Sequence, residues 1–573
     1  MLLRMLLVLL VVGCVAAAQD APADLILHHG RVVTVDRRFA IHSAIAVRGG
    51  KIVRTGSDAQ VLSLRGPQTR VEDLQGKTVL PGLIDSHTHP TGACMTEADH
   101  PIPMMTRVPD VLRYIRTRSA FVPKGDWIQV RQVFITRLEE QRYPTRAELD
   151  AAAPEHPVIF STGPDASLNT LAMRESGLDR NFRVSDGGPG FAEKDPATGE
   201  LTGILRSCTR YVKVRATGRN FSADEQEQRL KALFRDYNAN GITAICDRDA
   251  SAGGLERYRR LQERRALTVR IAASHHVDTL GPIETIQQKI RDVARNPLRR
   301  EDPWLKIIGI KTYLDGGMLT GSAYMQQPWG VSKIYGITDP TYRGVLFVPH
   351  DRLVPMVRTA VEEGLQFTAH SVGDGAVHAL LDAYQEVNRT HPIRDSRPTL
   401  THANFQSEED IHRAARLGVG MDIQPIWLRE DAHTLAAQFG YERLRWFQPL
   451  RSLFRAGVTV GGGSDHMQKI GPLRSINPYH PFLGMYTAIS RRGRSYDRAL
   501  HPAEALSRED AIRFYTIRNA YLIRRETEIG SLEPGKWADL IVLDRDPLTC
   551  GLEELPATRV LTTYVEGRRM MRE

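Results

Sequence analysis

His87 and His89 stand two residues apart in the run LIDSHTH, and on an extended strand that spacing sends both imidazoles to one face. Two imidazoles on one face are the start of a metal site, because neutral ring nitrogens ligate divalent ions such as zinc. An HxH pair alone is weak evidence, but this one has company. Lys311 in GIKTYLD, His370 in LQFTAHSVG, His402 in RPTLTHAN and Asp465 in VTVGGGSDH each lie within an apolar run or at its carboxyl end. Four histidines, one aspartate and one lysine so distributed are expected to converge on one centre. A divalent ion there would lower the pKa of a bound water toward about 7, with Asp465 taking the water's proton and passing it to a leaving group. The chemistry that follows is hydrolysis of a small molecule.

Lys311 is the unusual member. An amine in an apolar strand is costly to bury unpaired, and only 12 of the 76 basic residues are lysines. Carbamylation by carbon dioxide would make it an anionic ligand able to bridge two ions; pairing with Asp315 or Asp465 is the plainer alternative. His466 and Gln424 also sit at run ends and are candidates to face substrate. Asp315, Asn169 and Arg206 are weaker candidates, and Trp304 and Trp329 read as core or rim.

The elements that must hold these residues are legible as repeats. Eight apolar or β-branched runs end in polar residues: 79–89, 241–249, 268–274, 309–315, 365–373, 397–404, 418–425 and 458–466. Amphipathic stretches of helical period lie between them. In one, Leu353, Val354, Val357 and Val361 share a face and Gly364 can end the helix; in another, Ser407 opens a capping-box-like start that runs to Gly418. Eight strand-then-helix units predict an α/β fold, a (β/α)8 barrel of the TIM type with its site at the carboxyl ends of the strands. The interval of about 150 residues between the first and second runs is too long for a loop and predicts an inserted subdomain over the mouth. Both chain ends alternate short apolar runs with turns, among them Gly49-Gly50, and are expected to pair into one β-sandwich. The expected boundaries are 24–80 with 526–573 for the sandwich, 81–97 with 230–525 for the barrel, and 98–229 for the insertion.

The first 18 residues have a basic start at Arg4, an apolar run and the small stretch Ala16-Ala17-Ala18, a secretory signal pattern. Val11-Val12-Gly13-Cys14 also resembles a lipobox, so two processed forms are expected: a periplasmic or secreted protein, or a lipoprotein anchored at Cys14. No later stretch has the roughly 18 to 20 apolar residues of a transmembrane helix. Cys94, Cys208, Cys246 and Cys550 are widely spaced and form neither a disulfide framework nor a zinc knuckle; export permits a disulfide without indicating a pair. The net charge of +9 is scattered among acidic residues and reads as a solvated surface, with no nucleic-acid motif. Oligomeric state leaves no mark in the sequence.

The set PGLIDSHTHP, IKTYLDGG, TAHSVGDGAV, LTHANF, GGGSDH and GSLEPGKWADLIVLD resembles the amidohydrolase superfamily, and within it the YtcJ-like branch that includes N-substituted formamide deformylases. The resemblance covers nearly the whole chain after the signal. It implies hydrolysis of a non-peptide C–N bond, with the proton passed to a leaving amine, by one or two divalent ions, usually zinc, in a barrel with a β-sandwich built from both chain ends. Residue by residue it implies His87, His89 and Asp465 on one ion, His370 and His402 on the other, and carbamylated Lys311 bridging them. The chain departs from the branch in GPDASLNTLAM, where Pro164 stands near the position of a histidine found in many members. The same barrel is also compatible with cyclic-amide opening, deamination or ester cleavage. A non-catalytic exported metal- or ligand-binding protein is a further alternative, against which the retention of Asp465 argues.

Overall fold

The computed structural model describes residues 21–131, 133–215 and 219–570. The expected signal segment, 1–18, and Cys14 lie outside the described residues.

Eight strands form one all-parallel sheet: Leu83–Thr88, Ile242–Ala250, Arg270–His276, Leu305–Tyr313, Gln366–Ser371, Thr399–His402, Gly420–Ile423 and Val460–Gly462. They are the eight runs read from the sequence. The seam between the eighth and first strands is closed by Asp465 N–H donating to the His87 carbonyl at 2.9 Å and His89 N–H donating to the His466 carbonyl at 2.8 Å. A side chain at Gly463 would put its Cβ 2.9 Å from the His87 Cβ, so only glycine lets the two strands approach this closely.

Helices alternate with the strands and cover the barrel. His350–Glu362 buries Leu353, Val354 and Val357, and Gly364 follows in the left-handed region at φ 65°. Glu408–Leu417 starts on Ser407, whose hydroxyl accepts the Asp410 N–H at 3.1 Å, and ends on Gly418 at φ 71°. The apolar positions of both helices face a single large core that also takes in the barrel strands.

A six-stranded sheet joins the two ends of the chain, with Thr78–Pro81 pairing antiparallel with Leu540–Leu543. A four-stranded sheet contains the hairpin Ala44–Arg48 and Lys51–Gly56, turned by Gly49 and Gly50 at φ 57° and 77°. The two sheets share a core in which Leu27, Ile45 and Val47 meet Val32, Val79 and Leu540. Between the first and second barrel strands, five further strands from Ile128–Arg131 to Leu201–Arg206 form a separate sheet. Its apolar face packs with Met318, Trp329, Trp427 and Leu428, which bind this segment to the barrel's loops. No helix among the described residues is long and apolar enough to cross a membrane, and Cys94, Cys208, Cys246 and Cys550 are all free thiols.

Candidate active site

At the carboxyl ends of the first and eighth strands, one nitrogen of His87, one of His89 and one carboxylate oxygen of Asp465 all lie within 4.8 Å of one another. The Nε2 atoms of the two imidazoles are 3.2 Å apart, and Asp465 Oδ1 is 3.1 Å from His89 Nε2 and 3.5 Å from His87 Nε2. Two imidazoles and a carboxylate converging in this way suit a small divalent ion. Asp465 itself is left-handed at φ 55°, a costly conformation for a residue with a Cβ. It is locked by its own N–H on the His87 carbonyl and by Asn477, whose Nδ2 donates to the Asp465 carbonyl at 3.2 Å.

Buried partners select which ring nitrogens face the centre. His87 Nδ1 lies 3.2 Å from Asp422 Oδ1, and Asp422 is held in turn by Arg248 Nε at 2.9 Å, with all three side chains fully buried. With Nδ1–H donating to Asp422, the Nε2 lone pair is left for a ligand. His402 Nδ1 is 2.8 Å from Gln424 Oε1, and Gln424 Nε2 donates to Asp422 Oδ1 at 2.9 Å, so one carboxylate orients two rings. His370 has the opposite arrangement: its Nε2 faces the Gly316 carbonyl at 3.4 Å, leaving Nδ1 unclaimed. The His370 and His402 ring centroids are 4.6 Å apart, and those of His87 and His402 4.8 Å apart.

Lys311, 1 % exposed, points into the same space. Among the described residues no carboxylate comes within salt-bridge distance of its amine, whose named contact is the Tyr313 ring, 4.8 Å from Nζ. The simple pairing with Asp315 or Asp465 is therefore not formed. Burial holds the Lys311 amine below its usual value, opposed by Asp249, Asp422 and Asp465. Burial likewise lowers His87, His370 and His402, the last to about 3, which keeps these rings neutral and their lone pairs available. Burial would also lower His89, but its hydrogen bond to Asp465 prevails and raises it. For Asp465, burial pushes the carboxyl up, yet His87, His89 and His402 outweigh it and hold it far below the usual carboxylate range.

The structure brings His87, His89, Lys311, His370, His402 and Asp465 together around one cavity of about 650 Å³. Of the five candidates to face substrate, Asn169, Gln424, His466 and Arg206 do not line this cavity. Asn169 is a helix cap whose Oδ1 accepts the N–H groups of Val158 and Ala172, and whose Nδ2 donates to the His156 carbonyl. Gln424 stands behind His402 as its orienting partner. His466 is fully buried, with Nδ1 2.7 Å from the Tyr237 hydroxyl and Nε2 on the Gln468 and Lys469 carbonyls. Asp315 does line the cavity, but its carboxylate is committed to the N–H groups of Tyr324, Val372 and Gly373. Arg206 is drawn to Asp165 and the Tyr335 carbonyl, Trp304 packs on Arg270, and Trp329 is buried. Pro164 forms part of the cavity wall.

Four supporting residues escape the sequence reading. Asp422 and Arg248 form the brace described above. Asp85 ties the seam, accepting the N–H groups of His87 and Ser464 at 3.0 Å each and the Ser464 hydroxyl at 2.6 Å. Asp249 reaches the cavity while accepting the Tyr313 hydroxyl at 2.9 Å and pairing with His276 at 2.8 Å. The available signal was an acid inside an otherwise apolar run, as in GMDIQP and CDRD.

With this geometry in place, comparison with known proteins gives a consistent result. The sequence profile of the amidohydrolase family matches residues 70–571. N-substituted formamide deformylase from Arthrobacter pascens is 29% identical over 566 residues, 95% of this chain and 97% of that protein. YtcJ of Bacillus subtilis (strain 168) is 26% identical over 558 residues, 95% and 98% of the two chains. Among solved structures, an uncharacterised metal-dependent hydrolase from Pyrococcus horikoshii OT3 superposes with a TM-score of 0.65 at 21% identity, covering 92% of this chain and 99% of that one.

Proposed function

This chain belongs to the amidohydrolase family, and from that premise we propose that it is a metal-dependent hydrolase that cleaves an amide-type, non-peptide C–N bond of a small molecule at the six-residue cluster. The observation that carries the reading is the convergence of His87, His89 and Asp465 within 4.8 Å at the mouth of the barrel.

The donor set fits one ion held by His87, His89 and Asp465, and a second held by His370 and His402, with zinc the best match to these ligands. When bound, such ions polarise a carbonyl and acidify water. The remaining duties fall to the chain. Asp465, ionised and wedged against two imidazoles, accepts a proton at its carboxylate from the attacking water and returns it to the departing nitrogen. Asp422 and Gln424 fix the rings of His87 and His402, so the ligand geometry is prepared before substrate arrives. Lys311, desolvated and, among the described residues, without an anionic partner in salt-bridge range, is poised to add carbon dioxide at Nζ with loss of a proton, becoming an anionic carbamate between the two histidine groups. The insertion and the loop after the fourth strand wall the cavity and limit water around the reacting bond. For cellular location we propose export, on the signal pattern of residues 1–18, with amino-terminal sequencing of the mature protein as its test.

The function is tested by assaying purified protein on N-formyl, N-acyl and cyclic amides with added zinc and bicarbonate. Turnover should require metal, and Asp465→Asn should lower kcat by about 10²- to 10⁴-fold. Full activity in Asp465→Asn, or in protein stripped of divalent metal, would sink the proposal.

A further inference from the structure

Apart from the groups expected to hold metal, the chamber presents an apolar wall with no cation of its own among the described residues. Phe134, from the insertion, and Trp427, from the helix after the seventh strand, both line it and meet edge to face with centroids 5.8 Å apart. Arg137 closes behind them, its guanidinium carbon 5.3 Å and 5.2 Å from the two ring centroids and its Nη2 2.8 Å from the buried Asp431. Met318, Leu319 and Phe347 continue the wall, so a ligand's non-reacting part meets aromatic and aliphatic surface.

The charge around the chamber is as informative as its shape. Asp249, Asp315 and Asp465 all face it, while among the described residues no arginine lines it. The arginines packed nearby are committed elsewhere: Arg137 to Asp431, Arg206 to Asp165 and the Tyr335 carbonyl, Arg248 to Asp422. An anionic group carried on a ligand would lose its water and find, among the described residues, no free counter-charge outside the metal-binding cluster, which attends the reacting bond.

Resting on the hydrolytic reading above, we propose that the chamber selects amides whose substituent is apolar, of aromatic size and free of a carboxylate. The enzyme thereby turns away N-acyl amino acids and accepts the corresponding N-acyl amines. The wall that makes this choice is composite, half from the insertion and half from the barrel, with Arg137 as the residue that holds the halves together.

A matched pair of compounds tests this. N-(2-phenylethyl)formamide and N-formylphenylalanine share the formamide nitrogen and the phenyl ring and differ by one carboxylate; the acetyl analogues repeat the comparison. For the wild-type holoenzyme, kcat/KM should favour the uncharged member of a hydrolysed pair by about 100-fold or more. Trp427→Ala should lower the ratio of kcat/KM for N-(2-phenylethyl)formamide to that for N-methylformamide by about 10-fold or more. Equal or reversed preference within a hydrolysed pair would overturn the selectivity proposal alone. Hydrolysis of neither the formyl nor the acetyl pair would instead contradict the hydrolytic reading on which it rests.

Discussion

At the scale of single residues, the cluster is held by atoms that do not line the cavity. Asp422 is buried with Arg248 and accepts from both His87 and Gln424, so a single carboxylate orients one imidazole and, through Gln424, another. Carboxylates of this kind typically account for 10- to 100-fold in metal affinity or activity. Asp422→Asn is therefore expected to weaken zinc binding by about 10- to 100-fold in a chelator competition, with the fold intact by circular dichroism. An unchanged affinity would show that His87 needs no orienting partner. The sequence could expose His87 and His402 because histidine types at strand ends are conspicuous, but Asp422 has its partner Arg248 on a strand 174 positions away, a pairing that no local pattern encodes. Asn169 is ambiguous for the converse reason: an asparagine before a helical run is equally a cap or a ligand, and here its amide is spent on backbone.

At the scale of elements, the eight barrel strands were readable because each is an apolar run cut by polar residues, and their helices because Gly364 and Gly418 mark the ends. Less legible were segments whose role depends on tertiary fit, such as Pro481–Ser490, which is capped by His480 through its Nδ1 on the Leu483 N–H at 3.3 Å. Burial lowers the His480 ring to about 4. Its folded pKa thus lies below the unfolded value of about 6.5, so it contributes stability present above pH 6.5 that is lost as pH falls through 4. His480→Asn keeps a capping side chain and removes the titration. Between pH 7.5 and 5 wild type should lose about 2 kcal/mol more stability than this variant, read as the difference in the pH slope of urea midpoints. Parallel slopes would mean the ring is solvated in the native protein.

At the scale of the whole molecule, the barrel and the sheets built from the chain ends meet at Arg270, at the entry of the third strand and far along it from the catalytic mouth. Its guanidinium grips Asp539 at 2.6 and 3.1 Å and lies between the rings of Trp304 and Trp537, at 4.8 and 5.1 Å. Arg270→Met would leave Asp539 buried without its partner, a loss of about 3–5 kcal/mol that should lower Tm and open the chain ends to limited proteolysis while kcat of the folded fraction stays near wild type. An unshifted Tm would place the join elsewhere.

The whole account depends on the cluster of His87, His89, Lys311, His370, His402 and Asp465 being a metal centre. Its most direct test is a crystal grown with zinc and bicarbonate, with anomalous difference density collected across the zinc edge. A peak bonded to His87, His89 and Asp465 is the predicted result, with a second beside His370 and His402 if Lys311 carries a carbamate. No anomalous density at these residues, with zinc present in the crystal, would contradict it.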